Sequence, residues 1–255
     1  MPNNKTLDSQ QDEVSETKHK KIQKTETVDQ KKNFKVAPSG LDYALKCKRC
    51  LWLSYKGIKL DAFFPPIFNA FDLIQKKFLI TQSVKLMSDA LPEGRIMTEL
   101  SGFIGSSTLK DKKGRPFIIS GKTDVVVEFN TTPKKYGIID LKTTNINPSK
   151  IENYKFQLES YATIFQNPNL KTPKLSNIEE LGLYLFEPKE ITNISNETCN
   201  MNFETLYLKG NRCHDELINR ITEIIDICLM KKPPDYNPVC SSCKFVTSLK
   251  KEKYI

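Results

Sequence analysis

Two Cys-x-x-Cys pairs, near opposite ends of the part of the chain that can fold, constrain its architecture more than any other feature. The first pair is Cys47 and Cys50, and the second is Cys240 and Cys243. Four thiolates from two such pairs are a usual ligand set for tetrahedral Zn²⁺, and they suit an iron–sulfur cluster equally well. Either metal would hold the beginning of the folded region against its end and contribute to the free energy of folding.

Three further cysteines, Cys199, Cys213 and Cys228, stand outside these pairs. The amino-terminal region is polar and lacks a hydrophobic secretory signal, so the seven cysteines indicate metal ligands or free thiols rather than disulfides. Cys228 lies in an apolar helix predicted at residues 215–230, where a thiol packs like a small apolar side chain. Unrelated structural cysteines and a thiol-redox protein are weaker alternatives, the latter because neither pair follows a clear strand-to-helix turn.

Charge and polarity divide the chain into two regions. Residues 1–36 have almost no apolar content and are predicted to be a disordered tail, which leaves residues 37–255 as one folded domain. No apolar run is long enough to span a bilayer, and we expect a cytoplasmic protein. The formal net charge of +9 is compatible with binding phosphate backbones, but basic charge by itself does not establish a nucleic-acid partner.

Alternating apolar and polar residues predict a β-hairpin in the middle of the chain. Residues 122–129 form the first predicted strand, residues 130–135 hold turn formers and a proline, and residues 136–144 form the second strand. Gly121 is expected to let the chain kink as it enters the first strand. The apolar neighbours in both strands indicate a half-buried sheet.

The hairpin brings two acids and a lysine together. Residues two apart on a strand share a face, so Asp140 and Lys142 point the same way, and Asp124 can join them across the ladder. Two nearby carboxylates suit a hard divalent cation such as Mg²⁺. A lysine beside them can stabilise charge on an attacked phosphate or orient the attacking water. The pattern therefore indicates metal-dependent phosphodiester chemistry.

A helix is predicted after the hairpin. Apolar residues recur at three- and four-residue steps through residues 151–165, which is typical of an amphipathic helix. Gln157 and Tyr161, four residues apart, lie on one face of it. An acid in one strand, acid-x-lysine in the next and then a helix with Gln-x-x-x-Tyr resembles the PD-(D/E)XK nuclease superfamily in its RecB-like branch. The similarity extends to CRISPR-associated RecB-like exonucleases and AddB-type nuclease domains.

This resemblance implies a fold, an activity and a set of site residues. The fold would be α/β, with a restriction-endonuclease-like core in which helices flank a mixed central sheet. The activity would be Mg²⁺- or Mn²⁺-dependent hydrolysis of nucleic acid, most often DNA, in repair, recombination or defence. Asp124 and Asp140 would ligate the metal, Lys142 would be the catalytic lysine, and Gln157 and Tyr161 would border the centre. A nuclease-like domain that binds nucleic acid or a partner protein without cutting is the alternative.

The resemblance also bears on the cysteines. Several RecB-like nucleases clasp this domain with an iron–sulfur cluster, usually with one cysteine before the catalytic motifs and three after them. The division here is two and two, which leaves Zn²⁺ and an iron–sulfur cluster both open. Residues 38–53 are similar to the family's opening Ser-x-Leu and Cys-x-Arg motif, and Ser39 is expected to be a helix N-cap. A helicase, or a CRISPR or repair protein, is the kind of partner that the family implies.

Two more acids are candidate metal ligands. Asp72 lies in a helix predicted at residues 68–79, where many RecB-like nucleases carry a histidine ligand and this chain has none. Glu99 lies in a strand predicted at residues 95–100, where an acid often supports the metal in the superfamily. Further predicted elements are strands at residues 181–186 and 205–209, with a polar loop at residues 193–200 between them.

Overall fold

A five-stranded mixed sheet forms the centre of the protein, whose computed structural model describes residues 33–58 and 65–251. Strands in these ranges are β1 Phe34–Val36, β2 Gly94–Ile96, β3 Phe103–Gly105, β4 Leu109–Lys110, β5 Pro116–Lys122, β6 Val125–Phe129, β7 Lys135–Thr143, β8 Ile178–Thr192 and β9 Asn200–Gly210. Helices are α1 Leu41–Ala44, α2 Lys48–Tyr55, α3 Ile67–Leu79, α4 Lys155–Gln166, α5 His214–Cys228 and α6 Ser241–Lys251. The mixed α/β class with flanking helices agrees with the prediction.

The central sheet has the order β2-β6-β7-β8-β9. The predicted hairpin is its middle: β6 and β7 are antiparallel, with Val125 opposite Ile139. Strand β8 runs parallel to β7 after the crossover through α4, and β9 returns antiparallel to β8. The strands predicted at residues 181–186 and 205–209 are therefore present, and both are longer than predicted.

Both faces of this sheet are buried, and strict alternation sorts its side chains between them. Val125, Val127 and Ile139 pack on one side with Leu79 of α3. Their neighbours in sequence, such as Val126 and Ile138, face the other side and join a larger core with α4 and α5. Each fully buried valine or isoleucine contributes roughly 1.5–3 kcal/mol. Asp140 follows Ile139, so it points to the α4 side.

A smaller sheet is built from β1, β3, β4 and β5, all of which precede the hairpin in the chain. Strand β5 pairs with β1 in parallel and with β3 and β4 antiparallel. Strand β1 lies within the segment predicted to be a disordered tail, so the prediction is wrong for residues 34–36. Val36 is buried against the core, which explains why this end of the segment is ordered. Residues 1–32 of the predicted tail lie outside the described residues.

Helix α4 differs from the predicted amphipathic helix. It begins at Lys155, after the 3-10 turn Pro148–Asn153, and every residue from 156 to 165 is buried. The central sheet covers one side of it, while α1 and α5 cover others. Its polar side chains are therefore inside the protein, where each needs a partner.

The segments around the cysteines also differ in detail from the prediction. Ser39 lies inside a 3-10 turn, Pro38–Gly40, and Gly40 rather than Ser39 is the N-cap residue of α1. Cys228 ends α5 and is buried in the core, as predicted. In the described part of the chain, no helix combines the length and apolar character needed to cross a bilayer.

Candidate active site

A cleft of about 500 Å³ opens near the carboxyl end of β7, between α3 and α4. It also borders the residues just before α1 and the junction of β5 and β6. Most of the acids and bases predicted for the site meet in this cleft. The predicted residues that line it are Asp72, Asp124, Asp140, Lys142, Gln157 and Tyr161.

Asp124 lies in a short break between two strands. Lys122 ends β5 rather than starting the hairpin strand as predicted, and β6 begins only at Val125. The Thr123 hydroxyl donates a hydrogen bond of 2.7 Å to the Leu100 carbonyl, which anchors the break. Asp124 Oδ2 accepts a hydrogen bond of 3.0 Å from the Leu141 backbone N–H. This contact across the ladder fixes the carboxylate beside Asp140.

Asp140 is the most buried acid of the cleft, with 2% of its surface exposed. Its Oδ1 accepts a hydrogen bond of 2.8 Å from Gln157 Nε2. Its Oδ2 forms an ion pair with the Lys142 ammonium but accepts no well-aligned hydrogen bond from any described residue. Burial raises the pKa of Asp140 to about 7, Lys142 opposes this shift, and Asp124 adds to it.

Lys142 remains an ammonium group in this environment. Burial by itself lowers the pKa of Lys142, but the Asp140 and Asp124 carboxylates outweigh it and raise the pKa above its ordinary value. Its Nζ also lies 5.1 Å from the centre of the Tyr154 ring, within range of a cation–π contact. The side chain is 24% exposed, and Lys142 is one of the residues that line the cleft.

Gln157 and Tyr161 brace the two acids. Gln157 Nε2, which holds Asp140, also lies 3.1 Å from the Tyr161 hydroxyl. That hydroxyl donates a hydrogen bond of 2.8 Å to the Lys122 carbonyl at the end of β5. Burial and the charge of Asp140 raise the pKa of Tyr161, so its hydroxyl stays protonated as a donor. The Gln-x-x-x-Tyr pair therefore connects α4 to Asp140 on β7 and to the end of β5, two residues before Asp124.

Gly121 lies inside β5, and close packing requires a glycine there. A Cβ at this position would lie 2.8 Å and 2.9 Å from the Pro38 ring carbons and 3.5 Å from the Tyr161 ring. Contacts below 3.0 Å force a backbone shift, because a proline ring cannot rotate away. Glycine thus lets β5 approach the turn before α1 and the ring of Tyr161.

We expect Gly121→Ala to lower the free energy of unfolding by roughly 1–3 kcal/mol, the usual effect of overpacking. Urea denaturation followed by circular dichroism measures it. Gly102→Ala is the matched control, because a Cβ there meets nothing within 4 Å. Equal stabilities of the two variants would contradict the packing explanation.

Lys76 is a site residue that sequence reasoning missed. Its ammonium lies 2.7 Å from Asp124 Oδ1 and 2.8 Å from Asp72 Oδ1. Both Lys76 and Asp72 line the cleft, so Lys76 connects Asp72 to Asp124 there. The spacing of Asp72 and Lys76, four residues apart on a predicted helix, is the signal that could have found the pair.

Glu99 does not occupy the position predicted for it. Strand β2 ends at Ile96, and Glu99 lies in the following 3-10 turn, Thr98–Leu100. Its side chain is 54% exposed and lies 3.5 Å from Arg95, and it is not among the residues that line the cleft. The structure therefore does not bring Glu99 together with the other predicted site residues, because the strand ends before reaching it.

The four paired cysteines form a cluster, as predicted. All four sulfur atoms lie within 4.8 Å of one another, and the contacts Cys47–Cys243 and Cys50–Cys240 are both 3.6 Å. The cluster joins the start of α2 to the start of α6 and could hold Zn²⁺ or an iron–sulfur cluster. Within the described ranges, no other group of three or more histidine, cysteine or acidic ligand atoms is so close together.

Comparison with known proteins identifies no family for this chain. No protein-family model and no curated protein matches it. A solved structure described as the crystal structure of SSO0001 is similar to it, with 14% identity over 85% of this chain and 86% of that chain, and a TM-score of 0.48. A similarity of this size assigns neither a fold family nor a function.

Proposed function

We propose that the protein is a metal-dependent nuclease of the PD-(D/E)XK superfamily, RecB-like branch, with a restriction-endonuclease-like core, and that DNA is its substrate. One observation carries the proposal: Asp124, Asp140 and Lys142 meet in one cleft. Gln157 and Tyr161 brace them from the following helix. This combination supports phosphodiester hydrolysis better than a structural ion-pair network, because it lies in an open cleft instead of a closed core.

The acids suit a divalent hard cation. Asp124 and Asp140 offer carboxylate oxygens, the donors that Mg²⁺ and Mn²⁺ prefer. Asp140 Oδ2 retains acceptor capacity, since it accepts no well-aligned hydrogen bond from the described residues. A bound ion would lower the pKa of an attacking water and neutralise charge on the phosphate.

The protein's own side chains supply positioning and charge. Lys142 directs its ammonium into the cleft, where it can stabilise negative charge that develops on the attacked phosphate. Gln157 holds one oxygen of Asp140, and the Lys142 ammonium lies against the other. Lys122 also lines the cleft. The net charge of +9 favours association with a polyanion, which is consistent with DNA as the substrate.

A cleavage assay tests this function. Purified protein is incubated with labelled single-stranded and double-stranded DNA, with Mg²⁺, with Mn²⁺ or with a chelator. We expect cutting that depends on the metal and that disappears when Asp140→Asn, purified in the same way, replaces the parent. Salt-dependent DNA binding without metal-stimulated cutting, unchanged in Asp140→Asn, would instead support the non-cutting alternative.

For the cysteine cluster we propose one Zn²⁺ ion. Zinc–sulfur bonds of about 2.3 Å in a tetrahedron place the sulfur atoms roughly 3.8 Å apart. The observed contacts of 3.6 Å, with no separation above 4.8 Å, suit one central ion. An iron–sulfur cluster inserts several iron atoms between its ligands and spreads the sulfurs farther apart.

We expect the purified protein to be colourless and to contain about one zinc per chain, because four thiolates complete the shell of a structural site. Anaerobic purification, elemental analysis and a visible spectrum measure this. Cys240→Ser should lose zinc and melt at a lower temperature, whereas Cys199→Ser, an exposed cysteine outside the cluster, should change neither. Iron with inorganic sulfide and a broad visible band would overturn the assignment.

A further inference from the structure

Lys76 places a fixed positive charge against the acids of the cleft. Its ammonium contacts Asp124 Oδ1 at 2.7 Å and both oxygens of Asp72, at 2.8 Å and 2.9 Å. Only 16% of the side chain is exposed, so the contact is largely shielded from solvent. An ammonium between two carboxylates occupies the kind of position in which a divalent ion would otherwise bind.

The helix that carries Lys76 is held in place. Gln75, its neighbour on α3, is buried and donates a hydrogen bond of 2.8 Å to the Thr143 hydroxyl at the end of β7. Leu79, one turn after Gln75, is buried against the central sheet. Lys76 therefore projects into the cleft from an anchored helix, and Asp72, one turn before it, steadies the ammonium from the other side.

The charges in direct contact favour a single added metal ion. A carboxyl group must be ionised to ligate a metal. With Asp140 in that form, three carboxylates, of Asp72, Asp124 and Asp140, contact two ammonium groups, of Lys76 and Lys142, which leaves one negative charge. One divalent ion changes that sum to one positive charge, which matches the single negative charge of a phosphodiester. A second divalent ion would raise the net charge to three positive charges. The cleft differs in this respect from two-metal sites, in which carboxylates face both ions.

We propose that the Lys76 ammonium takes the place of a second cation, so that the cleft binds one divalent ion, held by Asp124 and Asp140. This inference rests on the proposed metal-dependent function. It assigns Lys76 as a positioning residue that sets the number of metal ions. Removing the ammonium leaves Asp72 and Asp124 facing the same gap, and two carboxylates are a suitable donor pair for Mn²⁺.

Manganese binding without DNA tests the inference. Zinc-loaded protein is titrated with MnCl₂, and free Mn²⁺ is counted by electron paramagnetic resonance. We expect one Mn²⁺ per chain for the parent and two for Lys76→Met. Lys77→Met, which removes the next lysine of the same helix, should bind one. Asp72→Asn in the Lys76→Met background should lose the second ion and keep the first, since Asp72 would be a ligand of the second ion alone.

The outcomes separate this inference from the proposed function. Two Mn²⁺ ions in the parent, with metal-dependent cutting, would overturn the role of Lys76 and leave the nuclease intact. A single ion in folded Lys76→Met, verified by circular dichroism, would also overturn it. A parent that binds no Mn²⁺ and cuts no DNA would contradict the nuclease proposal itself.

Discussion

Lys142→Met is expected to reduce metal-dependent DNA cleavage by about 10²–10³-fold, the usual effect of removing one charge-stabilising group from an active site. Methionine keeps much of the length and apolar surface of lysine but has no charge to place against a phosphate. The rate of single-turnover cleavage, measured with saturating protein and Mg²⁺, gives the effect on the chemical step.

Folding has to be controlled in this experiment, because Lys142 also neutralises buried Asp140. The double variant Asp140→Asn/Lys142→Met removes both charges and serves as the folded, inactive reference. Lys135→Met is the matched control for lost charge, since Lys135 lies at the other end of the same strand and pairs with Glu179. Lys142→Met that folds and cuts within threefold of Lys135→Met would show that the lysine has no catalytic role.

Arg212→Met is expected to destabilise the protein by about 2–4 kcal/mol, because it leaves a buried carboxylate without its charge partner. Glu159 of α4 is fully buried and accepts hydrogen bonds from Arg212 Nε at 2.8 Å and from Arg212 Nη2 at 2.9 Å. The Cys213 backbone N–H donates a third, at 2.9 Å. Arg212 is 36% exposed, so water can reach the site, and the expected loss is smaller than for a fully enclosed pair.

Urea denaturation at neutral pH measures this loss. Glu159→Gln/Arg212→Met removes both charges and should be more stable than Arg212→Met alone, since no unpaired carboxylate then remains. Lys48→Met breaks the exposed pair with Glu223 and should cost less than about 1 kcal/mol. If Arg212→Met costs no more than Lys48→Met, the buried pair is not a main support of α4.

The ion pair of Glu159 and Arg212 involves the same helix that carries two residues of the candidate site. Helix α4 carries Gln157 and Tyr161 on the side of the cleft, and Glu159 between them connects to the segment before α5. The same helix therefore faces the acids on one side and a buried ion pair on another. A loosened α4 would weaken the contacts that Gln157 makes with Asp140 and that Tyr161 makes with Lys122.

Much of the candidate site could be predicted from patterns within short segments of the sequence. Alternation along residues 136–144 predicted that Asp140 and Lys142 share a face, and both line the cleft. Glu99 was misplaced because β2 ends after Ile96, and nothing in the local sequence marks that end. Ser39 failed as an N-cap because the chain makes a 3-10 turn there, and Gly40 precedes the helix.

The sequence alone determined the β-hairpin, the shared face of its charged residues and the two Cys-x-x-Cys pairs, because these depend on periodicity and residue chemistry within short segments. Tertiary structure decided the burial of α4 on every side, the partner of Glu159 and the approach of Lys76 to Asp124. Each of these depends on where a distant segment packs against the sheet. The sulfur spacing of 3.6 Å belongs to the same class, since α2 and α6 meet only in the folded protein.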